Sequence, residues 1–151
     1  MIKTQHLFTM PVDVEMPLQM VGATPIGERR IAKVTGGTFT GPEMNGKILP
    51  GGGDWLLLRS DGSLQLDVRV TLETDDGALI FMTYRGFRHG PAEVMAQLNK
   101  GEDVDPSEYY FRVAPFFETG AEKYDWLNRI VAVGTGHRLA SGPVYEVYQI
   151  L

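Results

Sequence analysis

The segment LQLDVRVTLETDDGALIFMTYRGF, residues 64–87, decides the fold of this chain. Its first part alternates strictly, with leucine or valine at every even position from Leu64 to Leu72 and polar residues between them. This alternation places apolar side chains on one face of a β-strand and polar side chains on the other. Asp61-Gly62 and Asp76-Gly77 flank the strand, and both dipeptides are typical of tight hairpin turns. We therefore predict an antiparallel meander of three strands, at residues 55–59, 64–74 and 78–87.

Further short strands are predicted on both sides of this meander. They lie at residues 28–35, 37–41, 47–49, 109–115, 125–133 and 144–151, with a hairpin-type turn at Asn45-Gly46. One short helix is predicted over residues 91–100, because Pro91 suits a first helical turn and Gly101 suits a C-terminal stop. The pattern is all-β, with about eight or nine strands and one short helix, and is typical of a closed antiparallel β-barrel or a sandwich.

Composition limits the classes of function. The chain has 151 residues, 43% of them apolar, which is enough for a core, and no linker or repeat divides it, so we expect a single domain over residues 1–151. The absence of cysteine excludes disulfides, thiolate metal sites and a cysteine nucleophile. The net charge is −5 and the 14 basic residues are scattered, which argues against nucleic acid and anionic membranes as partners and favours a small molecule.

Location and cofactors are also constrained by the sequence. No signal peptide is visible and no segment approaches the roughly 20 apolar residues needed to cross a bilayer, so we expect a cytoplasmic protein. The three histidines lack the spacing of a metal site. The GTGHRL segment at residues 134–139 lacks the last glycine of a dinucleotide loop, and we interpret it as a glycine-rich β turn. We therefore expect neither a metal nor a cofactor.

Two strands present polar candidates with two interpretations each. Asp54 follows three glycines at the start of an apolar strand, where it is either part of a bulge or an acid at the rim of a barrel interior. Asp67 and Arg69 lie two residues apart and share one strand face. That face is either a solvated outer surface with weak ion pairs or a lumen in which arginine binds an anion.

Other candidates interrupt apolar or aromatic runs. Tyr84, Arg112 and Asn128 each stand among apolar neighbours, which fits either a buried hydrogen bond or a functional group. Glu118 follows two phenylalanines, and Trp126 lies within ten residues of it. Aromatic walls with an occasional acid describe either a pocket, where an apolar environment raises a carboxyl pKa, or a core beside an exposed glutamate.

Six motifs taken together resemble the family known as domain of unknown function 3237. They are TPIGERR at residues 24–30, GGTFTGP at 36–42, PGGGDW at 50–55, RSDGSLQLDVR at 59–69, DDGALI at 75–80 and YDWLN at 124–128. The resemblance covers nearly the whole chain, and it implies a compact antiparallel β-barrel of the lipocalin or allene oxide cyclase kind. It supplies candidate residues without roles, because the family is named for its unsettled function.

Three functional hypotheses follow. The first is a cofactor-free isomerase, cyclase, hydratase or lyase that transfers protons on a small anionic or phenolic metabolite. In it Asp54 or Glu118 is the acid or base, Tyr84 is a phenolic donor, and Arg69 and Arg112 stabilise negative charge. The second is a carrier that binds its small ligand and releases it unchanged. The third is a structural or interaction protein whose polar strand face is exposed to solvent. Exposed β surface is also compatible with a homo-oligomer.

Overall fold

The structure is a computed structural model that describes residues Met1 to Leu151 as an antiparallel β protein. The strands are β1 (Thr4–Val14), β2 (Gln19–Thr24), β3 (Gly27–Thr40), β4 (Asn45–Ile48), β5 (Gly53–Leu58), β6 (Leu64–Thr74), β7 (Leu79–His89), β8 (Tyr110–Glu118), β9 (Ala132–Leu139) and β10 (Gly142–Ile150). A helix, α1 (Ala92–Asn99), follows β7, and two 3₁₀ segments span Pro106–Glu108 and Glu122–Arg129. The predicted all-β class and the short helix are confirmed.

The sheet closes into a barrel because β1 pairs with both β10 and β3. The ring has eight strands, in the order β1, β10, β9, β8, β7, β6, then a position shared by β4 and β5, then β3. The long strand β3 explains the shared position, since β5 pairs with its first half and β4 with its second. β2 lies outside the ring beside the first half of β3. No helix combines the length and the apolar composition needed to span a bilayer.

Period-two alternation decides which side chains fill the barrel. The even residues of β6, from Leu64 to Leu72, are buried, and the odd residues face outward. One end of the barrel is filled with apolar side chains. There the ring of Phe8 packs edge-on against Phe39 and Phe117, with ring centres 5.5 Å and 6.1 Å apart. The other end is left for the polar groups described below.

Several local predictions were wrong. The strand predicted at residues 125–133 is a 3₁₀ segment followed by β9, because Tyr124 and Leu127 are buried three residues apart, a spacing that a strand does not produce. Asn45-Gly46 begins β4 rather than forming a turn; a Cβ at Gly46 would clash with the carbonyl oxygen of Glu73, so glycine permits the close pairing. The GTGHRL segment lies within β9 and is not a turn.

Other observed strand boundaries differ from the predicted ones. The segments predicted at residues 28–35 and 37–41 form the single strand β3, and the N-terminal strands β1 and β2 were not predicted at all. The alternation of β1 is broken at its start, where the consecutive residues Leu7 and Phe8 are both buried and the register with β10 shifts. Pro11 occupies an outward position of β1 between the buried residues Met10 and Val12.

Candidate active site

The end of the barrel opposite the phenylalanine cluster encloses a cavity of about 530 Å³. The inward faces of the strands form its walls, and two elements cover its mouth: the β1–β2 connection, including Met16 and Leu18, and the last turn of α1 at Leu98 and Asn99. Most of the lining is apolar. Its charged and phenolic members are Arg30, Asp54, Arg88, Arg138 and Tyr145. An apolar cavity with a few convergent polar groups is the usual form of a small-molecule site.

Asp54 is the one acid in the cavity wall. It lies on β5, where its Cα pairs with those of Ala32 and Val68, both buried, and it is 8% exposed. One carboxyl oxygen accepts a hydrogen bond from the backbone N–H of Asp67 at 3.0 Å. Burial raises the pKa of Asp54 from 3.8 to about 7 despite this hydrogen bond. The carboxyl therefore populates both protonation states near neutral pH and can act as acid or base.

Three arginines approach the same cavity. Arg88 continues the inward face of β7 after Ile80, Met82 and Tyr84, and its guanidinium carbon lies 5.8 Å from the centre of the Phe111 ring. Burial, together with the charge of Arg138, lowers the pKa of Arg88 to about 10, so Arg88 remains cationic at neutral pH. Burial also lowers the pKa of Arg138.

The arginines are incompletely paired. Nη2 of Arg30 contacts a Glu28 carboxylate oxygen at 3.2 Å, whereas Arg88 and Arg138 have no salt-bridge partner. The Nε atoms of Arg30 and Arg88 are buried and have no hydrogen-bond partner. Buried polar groups are almost always satisfied, so these atoms mark a place where a ligand group is expected.

Two tyrosines adjoin the acid. Tyr145 lines the cavity, and its ring packs edge-on against Tyr84 with centroids 5.1 Å apart. Burial raises the pKa of both phenols, and the negative charge of Asp54 raises them further. Both phenols are therefore neutral at physiological pH. Tyr145 in particular can donate a hydrogen bond to an oxygen in the cavity.

Two predicted site residues, Asp54 and Tyr84, lie inside the barrel. Arg69 and Asp67 lie on the outer face of β6, so the solvated-surface alternative describes them; the Arg69 guanidinium stacks 5.5 Å from the Trp55 ring. Asp67 reaches the site only through its backbone N–H. The reason is the pleat: the leucines and valines of β6 fill the interior, which leaves the odd positions outside.

Four other predicted residues also lie away from the cavity. Arg112 and Glu118 are exposed on β8, and Arg112 donates a hydrogen bond to the carbonyl of Phe111 at 2.8 Å. Asn128 exchanges hydrogen bonds with the backbone of Thr119, at 2.8 and 2.9 Å, and so fixes the end of β8. Trp126 packs half-buried against the core. Functional roles for these four residues stay predictions that no contact with the cavity supports.

Sequence reasoning missed Arg30, Arg88, Arg138 and Tyr145. Each has the same parity as buried residues of its strand, as Arg88 has with Met82 and Tyr84. Extending the apolar alternation two steps beyond Tyr84, past Gly86, would have identified Arg88. No group of three or more metal-ligating side chains lies close enough together to hold an ion.

The chain has relatives among known proteins. It matches the model of the family described as "Protein of unknown function (DUF3237)" over residues 2–150. A UPF0311 protein of Bradyrhizobium diazoefficiens is 38% identical over 150 residues, which cover 99% of this chain and 97% of the relative. The crystal structure of a β-barrel-like protein from Acinetobacter baumannii superposes with a TM-score of 0.88 at 44% identity and covers 100% of this chain and 97% of its own.

One relative has an activity in its name. The hydroalkoxylation enzyme phnH of Penicillium herquei is 30% identical over 123 residues, which cover 81% of this chain and 66% of the relative. A crystal structure of an enzyme from the same organism has a TM-score of 0.74 at 24% identity, with 99% of this chain and 95% of that chain covered. At that identity the structural likeness concerns the fold.

Proposed function

We propose that this chain, which belongs to the DUF3237 family, is an enzyme that transfers protons on a small amphipathic substrate inside its barrel. Asp54 is the acid–base group. The observation that carries the proposal is the burial of this carboxyl in the cavity wall, which raises its pKa to about 7. A catalytic pKa close to the working pH gives the most effective proton transfer.

The chemistry that fits best is the addition of a substrate hydroxyl across a carbon–carbon double bond conjugated to a carbonyl. Ionised Asp54 takes the hydroxyl proton while the oxygen bonds to one alkene carbon. Negative charge then develops on the carbonyl oxygen, and Tyr145 donates a hydrogen bond to it. Protonated Asp54 returns the proton to the other alkene carbon, so the product is an isomer of the substrate. The Penicillium herquei relative is named for hydroalkoxylation, which is the addition of a hydroxyl across a carbon–carbon double bond.

The surroundings of Asp54 support this role. The apolar wall, with Leu56, Leu64 and Leu66, excludes water from the carboxyl and accommodates a hydrocarbon or aromatic body. The β1–β2 connection and the last turn of α1 border the mouth, where Leu18 and Leu98 are placed to contact a bound molecule. A cavity of about 530 Å³ is within the size range of small-molecule sites, roughly 300–1,000 Å³.

The test uses a neutral probe that reports proton abstraction directly. In nitrobenzisoxazole a base removes the ring C–H, the N–O bond breaks, and a coloured cyanonitrophenolate forms. We expect turnover that rises with pH to a plateau above about 7, as the Asp54 carboxyl ionises. Asp54→Asn should lower the rate by about a hundredfold or more. The exposed carboxylate of Glu118 provides the matched control, and Glu118→Gln should react like the wild type.

Two results would contradict the proposal. One is an Asp54→Asn protein that remains folded and keeps the wild-type rate. The other is a pH profile whose midpoint lies near 3.8, the ordinary value for this carboxyl, because it would mean that the reacting group is exposed.

The alternative function is a carrier, which the predominantly apolar lining favours. A carrier holds its ligand in the same cavity and returns it unchanged. Mass spectrometry of small molecules recovered from the purified protein, before and after prolonged incubation, separates the two functions. An enzyme converts a bound substrate into an isomer of equal mass and different retention time.

A further inference from the structure

We infer that Arg88 and Arg138 form a site for a carboxylate group of the substrate, in the same cavity as Asp54. The inference rests on the proposed function in taking this cavity as the substrate site. It adds the chemical class of the substrate: a small aromatic or aliphatic acid with an apolar body.

The first argument is the charge of the cavity wall. Its charged members are three arginines and one aspartate, and Glu28 already accompanies Arg30. Arg88 and Arg138 face the same space and repel each other, and neither has a carboxylate within salt-bridge distance. Buried charges are normally paired, so an anion from outside the chain would complete this arrangement.

The second argument is the unsatisfied hydrogen-bonding group. Nε of Arg88 is buried and has no hydrogen-bond partner, and no other atom of the guanidinium donates a hydrogen bond to the protein. The guanidinium carbon instead lies 5.8 Å from the centre of the Phe111 ring, and the centre of that ring is 5.4 Å from the centre of the Tyr145 ring. At this distance the ring attracts the cation, and the guanidinium N–H groups can bind a carboxylate through two parallel hydrogen bonds.

The third argument distinguishes a carboxylate from a neutral oxygen and from a phosphate. A neutral group leaves the two half-buried cations, Arg88 and Arg138, without a countercharge. A phosphate brings about two charges and three acceptor oxygens, yet the rest of the lining is mostly apolar and offers few further donors. One carboxylate matches the geometry of the guanidinium fork, and Leu56, Leu64 and Leu66 are placed to contact an apolar body.

The site is coupled to Asp54. A bound carboxylate adds negative charge near the Asp54 carboxyl and favours its protonated form. Binding should therefore take up a proton when the pH is above the pKa of about 7. In Asp54→Asn the binding should persist without proton uptake, because the amide does not titrate.

Calorimetric titration of the purified protein with naphthoate tests the inference, with naphthamide as the neutral isostere and naphthyl phosphate as the competing anion. We expect naphthoate to bind at least about tenfold more tightly than naphthamide. Arg88→Met and Arg138→Met should each remove most of this preference, and Arg88→Lys should retain part of it. Arg112→Met is the control, since Arg112 is exposed on the outer face of β8.

The methionine variants should fold, because replacing a half-buried cation that has no salt-bridge partner removes its desolvation cost without leaving a countercharge unpaired. Equal affinity for naphthoate and naphthamide would overturn the inference, and so would a preference that survives in both methionine variants. Tighter binding of naphthyl phosphate would overturn the carboxylate assignment. The elimination reaction of the neutral probe reports Asp54 alone, so its failure with intact naphthoate selectivity refutes the proposed function and leaves the carboxylate site standing.

Discussion

Replacement of Asp54 by asparagine should make the barrel more stable at high pH. The folded protein favours the protonated form of this buried carboxyl, because burial penalises the charge. In the unfolded chain the same group ionises at its ordinary pKa of 3.8. The contribution of this carboxyl to the wild-type free energy of unfolding is therefore highest below that value, is lost as the pH rises to about 7, and stays low above it. The Asp54→Asn protein lacks this pH dependence, because an amide does not titrate.

The size of the effect follows from the two pKa values. The difference between about 7 in the folded protein and 3.8 in the unfolded chain corresponds to about 4 kcal/mol. The asparagine side chain introduced by Asp54→Asn is close in size and keeps an oxygen that can accept the N–H of Asp67, so little packing is lost. Relative to the wild type, the Asp54→Asn protein should therefore gain about 4 kcal/mol between a pH below 3.8 and a pH above 7.

Urea denaturation across this pH range, followed by the fluorescence of Trp55 and Trp126, measures the effect. Contributions from the other carboxylates are common to both proteins and cancel in the difference. Glu118→Gln is the matched control, and its difference from the wild type should stay small because the side chain is exposed. A difference for Asp54→Asn that is constant with pH, or one that turns against the variant at high pH, would refute the assignment of a raised pKa.

Two further predictions concern the barrel that supports the site. Leu72→Ala should lower the free energy of unfolding by about 2–5 kcal/mol, because Leu72 is fully buried. In the same urea titration Leu79→Ala should lower it much less, because Leu79 is 53% exposed. Equal losses in the two variants would contradict the packing described. Gly46→Ala should cost about 1–3 kcal/mol, since its Cβ would clash with the Glu73 carbonyl oxygen. Gly120→Ala, where nothing lies within 4 Å, is its control, and similar unfolding midpoints would count against the close pairing of β4 with β6.

Much of the sheet could be predicted because alternation is a local property. The strand predicted at residues 64–74 is β6 itself, and the predicted meander corresponds to β5, β6 and β7. Prediction failed where the local pattern was broken. The consecutive buried residues Leu7 and Phe8 break the alternation of β1, and the apolar residues between Asp125 and Val133 belong to a 3₁₀ segment and then to a new strand.

The candidate site was predicted only in part. Asp54 was identified by its place after the glycine run, and Tyr84 by its position on an apolar face. Arg69 and Arg112 were chosen as the cationic partners, whereas the structure places Arg88 and Arg138 at the cavity. Arg69 and Arg112 alternate with buried neighbours of their strands, whereas Arg88 shares the parity of Met82 and Tyr84. Only the closed ring shows that the inward positions of β7 and β9 meet at one cavity.

The sequence by itself determined the strand pattern, the turns around β6 and the absence of thiol chemistry, because each depends on neighbours along the chain or on composition. Only the tertiary structure decided which face of each strand lies inside, and which end of the barrel is filled by phenylalanines and which is left open. Closing the ring brings β3, β5, β7, β9 and β10 around one space, so residues far apart in sequence share a dielectric environment. The raised pKa of Asp54 and the unpaired charges of Arg88 and Arg138 arise from that shared burial, which no local pattern encodes.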